Sequence, residues 1–106
     1  MGTIHYDGDK LHFDDRLLAH LQVVIVQKLR ADESFLMSWV NAVSVGSGRT
    51  SIWIHPGASM RFDFDGSRAV EINREWLHTL QESANSSSGL IVTDERGLLA
   101  RCGAPS

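Results

Sequence analysis

A chain of 106 residues, 42% of them hydrophobic, is long enough to bury one core without disulfide or metal staples and short enough to form a single domain. Ten basic residues against 13 acidic ones leave a net charge of −3, which argues against indiscriminate nucleic-acid or membrane binding, since both usually need a basic excess or a basic face. The single cysteine, Cys102, excludes an intrachain disulfide, and with no basic-then-apolar leader and no long apolar run the expectation is a soluble cytoplasmic domain without membrane contact.

Residues 2–13 read as a β-hairpin. Asp7-Gly8 is a favoured two-residue turn, because glycine adopts positive φ freely and aspartate tolerates it better than most residues. Such a turn sets Ile4 opposite Leu11 and His5 opposite Lys10, so that Ile4, Tyr6, Leu11 and Phe13 share the buried face. Residues 15–30 carry the strongest helix signal. Asp14 is placed to cap it, Asp15 lies in its first turn and Lys28 and Arg30 in its last, all complementing the helix dipole. Phe13 and Leu18 have the spacing of a hydrophobic staple. Leu17, Leu21, Val24, Ile25 and Leu29 form the apolar stripe, and Val23 and Val26 widen it, which fits either deep burial or a face shared with a partner.

Over residues 34–40, Phe35, Met37 and Trp39 alternate with Leu36, Ser38 and Val40 as in a strand, and a polar, glycine-containing loop spans 41–49. The stretch Thr50 to Pro56 is the one the rest of the chain supports. Successive strand side chains point to opposite faces, so Thr50, Ile52 and Ile54 face a core while Ser51, Trp53 and His55 form a row on the other side. A turn at His55-Pro56-Gly57-Ala58 leads to another alternating strand through Met60, Phe62 and Phe64. Asn73 is placed to cap a second helix, Arg74 to Ala84, whose buried stripe is Trp76, Leu77, Leu80 and Ala84. The polar run from Asn85 to Gly89 stops it, and Leu90-Ile91-Val92 is long enough for one last short strand. From Thr93 the chain turns polar and glycine-rich, so 1–92 is read as the domain and 93–106 as a flexible tail.

The order β-β-α-β-β-β-α-β predicts an α+β fold: a mostly antiparallel sheet of about five to six strands with both helices on one face. Its open face would display Ser38, Ser51, Trp53, His55, Arg61 and Asp63.

Motifs for chemistry are sparse. The histidines at 5, 12, 20, 55 and 78 have no metal-ligand spacing, and no Cys-x-x-Cys occurs, so neither metal nor cofactor is expected. Gly46-Ser47-Gly48-Arg49 faintly resembles a phosphate loop, but a strand follows it where a helix N-terminus is needed. Ser51 and His55 share a strand face with Cα atoms ~13 Å apart, too far for a nucleophile and its base. Trp53 and His55, with Arg61 from the next strand, are the most suggestive set. They fit a surface that stacks a base and holds a phosphate, a protein interface, or packing beneath a loop. Ser38, Arg49, Ser51 and Asp63 complete the candidate binding surface.

The runs Asp14-Asp15-Arg16, Leu18 to Ile25, Lys28-Leu29-Arg30, Glu33-Ser34-Phe35, Ser38-Trp39, Ser51 to Pro56 and Glu82 to Ser87 are similar to those of a family of short, uncharacterised bacterial proteins. Many of its members carry the automatic name "ATP-dependent DNA ligase". The resemblance covers roughly residues 1–92 and implies a shared fold unit, with no catalytic residue to carry over. The ligase name meets no support in the residues. Such enzymes attach AMP to the lysine of Lys-x-Asp-Gly, whereas Lys10 precedes Leu11-His12-Phe13 and Lys28 precedes Leu29-Arg30-Ala31. The expectation is a small non-enzymatic interaction domain that self-associates or binds another protein. The alternative is a DNA-binding accessory to ligation rather than a self-sufficient ligase.

Overall fold

The structure, a computed structural model, describes residues 1–41 and 48–102. Asp7 and Gly8 both take positive φ, 49° and 93°, as a tight hairpin turn between right-twisted strands requires. The turn joins β1 (Gly2–Tyr6) to β2 (Asp9–Phe13) with Ile4 opposite Leu11 and His5 opposite Lys10. The other edge of β1 takes β5 (Met60–Asp63), antiparallel, with His5 opposite Arg61 and Thr3 opposite Asp63. These strands form one sheet in the order β2-β1-β5.

The second sheet is built around β3 (Phe35–Asn41). On one side lies β4 (Arg49–Ile54), antiparallel, with Met37 opposite Ile52 and Leu36 opposite Trp53. On the other side β6 (Leu90–Ile91) and β7 (Arg101–Cys102) both run parallel to β3. Helix α1 (Asp15–Arg30) starts where Asp14 Oδ2 accepts the Arg16 N–H at 3.2 Å. Helix α2 (Arg74–Ala84) starts where Asn73 Oδ1 accepts the Trp76 N–H at 3.2 Å. No helix among the described residues is long and apolar enough to cross a membrane.

One core serves both sheets and both helices. Ile4, Phe13, Leu18, Leu21, Ile25, Met37, Ile54, Leu80, Leu90 and Val92 are fully buried, and the Phe13 and Trp39 rings meet edge to face with centroids 5.9 Å apart. Burying each such side chain is worth roughly 1.5–3 kcal/mol, against about 1 kcal/mol at most for an exposed ion pair, so the apolar alternation decides the fold. Val26 stays exposed and Val23 half-buried: the extra width of the α1 stripe is not consumed by the core.

The α+β class and the mostly antiparallel pairing hold, but the strands divide between two sheets. The division follows from the turn after β4. His55 Nδ1 accepts the Gly57 N–H at 3.2 Å, and Ser59 is drawn to β1, its carbonyl accepting the Asp7 N–H at 3.2 Å. The next strand therefore pairs with β1 rather than extending alongside β4. The chain also continues structurally past Val92. Thr93 bridges Leu99, the Asp94 carboxylate accepts the Arg96 and Leu98 N–H groups, and Ala100 returns into the core with its carbonyl accepting the Val40 N–H at 3.3 Å. Residues 93–102 thus supply a closed turn and β7, whereas 103–106 of the expected tail lie outside the described residues.

Candidate functional site

The outer face of the β3–β4 pair is where most of the predicted surface assembles. The strand ladder fixes which groups are spent and which are left. Asn41 N–H donates to the Gly48 carbonyl at 2.8 Å, whereas Val40 N–H and the Ser38 carbonyl bond to Ala100 and Val92 on the opposite side of β3. Antiparallel pairs alternate between bonded and non-bonded, so Thr50, Ile52 and Ile54 turn their backbone groups towards β3. Arg49, Ser51 and Trp53 turn theirs outward, along the edge of β4 that no strand among the described residues pairs with. Their side chains are likewise the solvent-facing set.

Trp53 is 57% exposed, and its cross-strand neighbour Leu36 is 36% exposed. Next along the face, Ser38 Oγ and Ser51 Oγ lie 2.6 Å apart. Exposed Arg49 makes no ion pair among the described residues. The exposed apolar pair rests on rigid support. Fully buried Ile54 follows Trp53 in the chain, and the Trp53 carbonyl accepts the Tyr6 hydroxyl at 2.6 Å. Beneath Leu36, Gly89 sits at φ +79°, where any Cβ would run into the Leu36 carbonyl. A shallow groove of about 230 Å³ runs beside this pair, lined by Lys28, Leu36, Trp53, Ala84, Asn85 and Ser86 among others. Lys28 is committed: its Nζ donates to Glu33 at 2.7 Å and Asn85 at 2.9 Å and lies 5.8 Å from the Phe35 ring centroid.

The remaining predicted residues lie elsewhere. His55 is half-buried and braces the turn described above. Arg61 and Asp63 sit on β5, in the other sheet, where they meet His5. Asp63 Oδ2 accepts Arg61 Nε at 3.2 Å, and His5 Nε2 lies 2.8 Å from the same oxygen. The cation expected beside Trp53 is therefore across the molecule's sheet boundary and ion-paired. Gly46 and Ser47 lie outside the described residues.

Sequence reasoning misses a second constellation, where α1, α2 and the 93–99 turn meet. Arg16 holds the Glu95 carboxylate bidentately, Nε at 2.9 Å and Nη2 at 2.6 Å, and Asn73 Nδ2 adds a bond of 2.8 Å. These donors, Arg16 above all, hold the Glu95 carboxyl well below the usual carboxylate range, at about 2. His20 is fully buried, with Nδ1 2.7 Å from the Arg16 carbonyl and Nε2 accepting the Asn73 N–H at 2.9 Å. Both bonds are satisfied by the neutral tautomer protonated on Nδ1. Its ring centroid lies 4.3 Å from that of Trp76, whose Nε1 donates to the Thr93 carbonyl at 3.0 Å. These groups bond to one another rather than presenting free donors to a ligand, so the network fastens the 93–99 turn to the helices. Arg16 and Glu95 are 79 positions apart, and no local spacing announces such a pair.

Among the described residues, no group of three or more His, Cys, Asp or Glu side chains could hold a metal ion. No curated protein and no solved structure matches the chain. A family match does span residues 1–95, which takes in the β3–β4 face and reaches the Glu95 contact, and the chain belongs to the DUF7882 family, a domain of unknown function.

Proposed function

We propose that this protein is a small non-enzymatic interaction domain whose contact surface is the outer face of β3–β4, and that it self-associates through that face. The observation that carries the reading is Trp53, 57% exposed next to Leu36 on a rigid strand pair. Tryptophan brings large contact area at little entropic cost, and Trp and Arg are the residues most enriched where protein interfaces concentrate their energy. Arg49 completes that pairing of types on one face. A polar surround of Ser38 and Ser51 gives the patch a wettable rim, as transient interfaces have.

The nucleic-acid alternative, an accessory to DNA ligation, draws less support. It needs a cation beside the stacking ring, and Arg61 is held by Asp63 in the other sheet. Arg49 alone does not offset a net charge of −3.

Sedimentation of the intact chain and of Trp53→Ser over a wide concentration range tests the proposal. A contact resting on the two exposed apolar side chains Leu36 and Trp53 belongs with the small, transient interfaces, so the series should extend to about 1 mM. The expected result is an average mass rising from 11.8 kDa towards twice that value for the intact chain and staying flat for the variant. A flat monomer mass for both overturns self-association. Salt-sensitive binding of nicked duplex DNA that Trp53→Ser abolishes would replace it with the nucleic-acid reading.

A further inference from the structure

Among the described residues, no strand pairs with the outer edge of β4. Its outward backbone groups belong to Arg49, Ser51 and Trp53, as the ladder requires, and among the described residues only the Trp53 carbonyl has a partner, the Tyr6 hydroxyl. Proteins usually blunt such an edge with lysine, proline, a bulge or inward-pointing charge. The edges of the other sheet follow that rule: β2 carries exposed Asp9 and Lys10, and β5 carries exposed Arg61 and Asp63. The strand β4 carries no proline, lysine or acidic residue, and Arg49 at its start is the one charge on it.

The geometry points to a second copy of this chain as the occupant of that edge, in antiparallel register with Ser51 facing Ser51 of the other copy. This rests on the interaction-domain reading and specifies its partner and its mode. The register follows from symmetry. Antiparallel partners must share a face, and Arg49 and Trp53 stand two positions either side of Ser51 on the same face. Centring the two-fold axis on Ser51 lays each Arg49 against the ring of the other copy's Trp53, a cation–π pair formed twice. Reciprocal hydrogen bonds join the two Ser51 backbones, and each Trp53 N–H donates to the facing Arg49 carbonyl. The two Arg49 side chains stay four strand positions apart, ~13 Å, beyond the Debye length of about 8 Å at physiological salt. A foreign strand would need its own cation and ring at this spacing; a second copy has them by construction. The result is a sheet continuous across two molecules, with the Leu36–Trp53 pairs flanking the join.

Three variants in one experiment test this, each checked for intact circular dichroism. Ser51 is exposed and its backbone is not used by β3, so Ser51→Lys leaves the fold in place while setting two like charges directly opposite each other. It is expected to weaken the dimer by up to about fivefold in sedimentation. In a Cys102→Ser background, Ser51→Cys is expected to form an intermolecular disulfide on mild oxidation, since bonded antiparallel partners have Cα atoms about 5.5 Å apart, within disulfide reach. Asp9→Cys, on the edge of the other sheet, should not cross-link. A dimer that survives Ser51→Lys, fails to cross-link through Ser51→Cys and dissolves on Leu36→Ser overturns the edge register while leaving the β3–β4 face as the contact surface. A chain that is monomeric throughout overturns both.

Discussion

The two sheets of this protein turn opposite kinds of surface to solvent. On β2-β1-β5 the outward side chains are polar and most are engaged with one another: His5, Arg61 and Asp63 converge, and Thr3 Oγ1 lies 3.1 Å from His12 Nδ1. On β3–β4 the outward side chains include a tryptophan and a leucine with open faces and an arginine without an ion pair among the described residues. A sheet that only needs water on its outer face can satisfy it with charges, as the first sheet does. Leaving Trp53 and Leu36 exposed on the second forfeits hydrophobic stabilisation that a partner would recover, roughly 25 cal/mol for each Å² of apolar surface covered. The contrast supports the proposed contact surface by showing, within one domain, what a solvent-facing polar sheet looks like.

The contrast can be broken most forcefully from beneath. Gly89→Ala forces a Cβ into the Leu36 carbonyl at a φ that L-residues rarely adopt, so it should cost about 2 kcal/mol or more and lower the melting temperature while displacing the exposed face. Removing the Trp76 indole N–H with Trp76→Phe loses its bond to the Thr93 carbonyl and should cost about 1 kcal/mol in urea unfolding, without altering self-association. The sharpest pairing is Trp53→Ser with Arg61→Ala. Each should change stability by no more than ~0.5 kcal/mol, yet only Trp53→Ser should abolish the mass increase.

A smaller effect tests the Glu95 latch. Its carboxyl titrates lower in the folded chain than in the unfolded one, because Arg16 and then Asn73 hydrogen-bond the charged form. As pH falls, the unfolded chain takes up the proton first, so the contribution is fully present above the ordinary glutamate range and is lost as pH falls towards about 2. Glu95→Gln should therefore melt below the intact chain at neutral pH, and the gap should close in strong acid. A gap independent of pH would assign the loss to packing.

Elements with internal periodicity were legible from sequence. Helix α2 runs from Arg74 to Ala84 behind its Asn73 cap, and the first hairpin takes the register its Asp7-Gly8 turn dictates. What periodicity does not carry is which strand pairs with which. The alternation of Met60 to Phe64 says that a strand exists; the turn after β4, with its Ser59–Asp7 bond, and the packing around it send it to β1 rather than β4, separating Arg61 from Trp53. Strand β6 falls on the short apolar run Leu90-Ile91-Val92 that the sequence marks, whereas β7 is too short to leave a pattern and is recognisable only through β3. The solvent exposure of Trp53 was equally hidden, since the alternation fixes its side of the strand and not what covers that side.

The central claim is that Trp53 is buried by self-association, and its own emission can report it. Trp39 and Trp76 are 4% and 6% exposed, so iodide quenching of tryptophan fluorescence reads Trp53 almost alone. The account predicts that quenching falls as protein concentration rises, in step with the increase in mass, and that the residual quenching of Trp53→Ser is small and independent of concentration. Quenching of the intact chain that stays constant up to about 1 mM would contradict it, leaving Trp53 a permanently solvated residue.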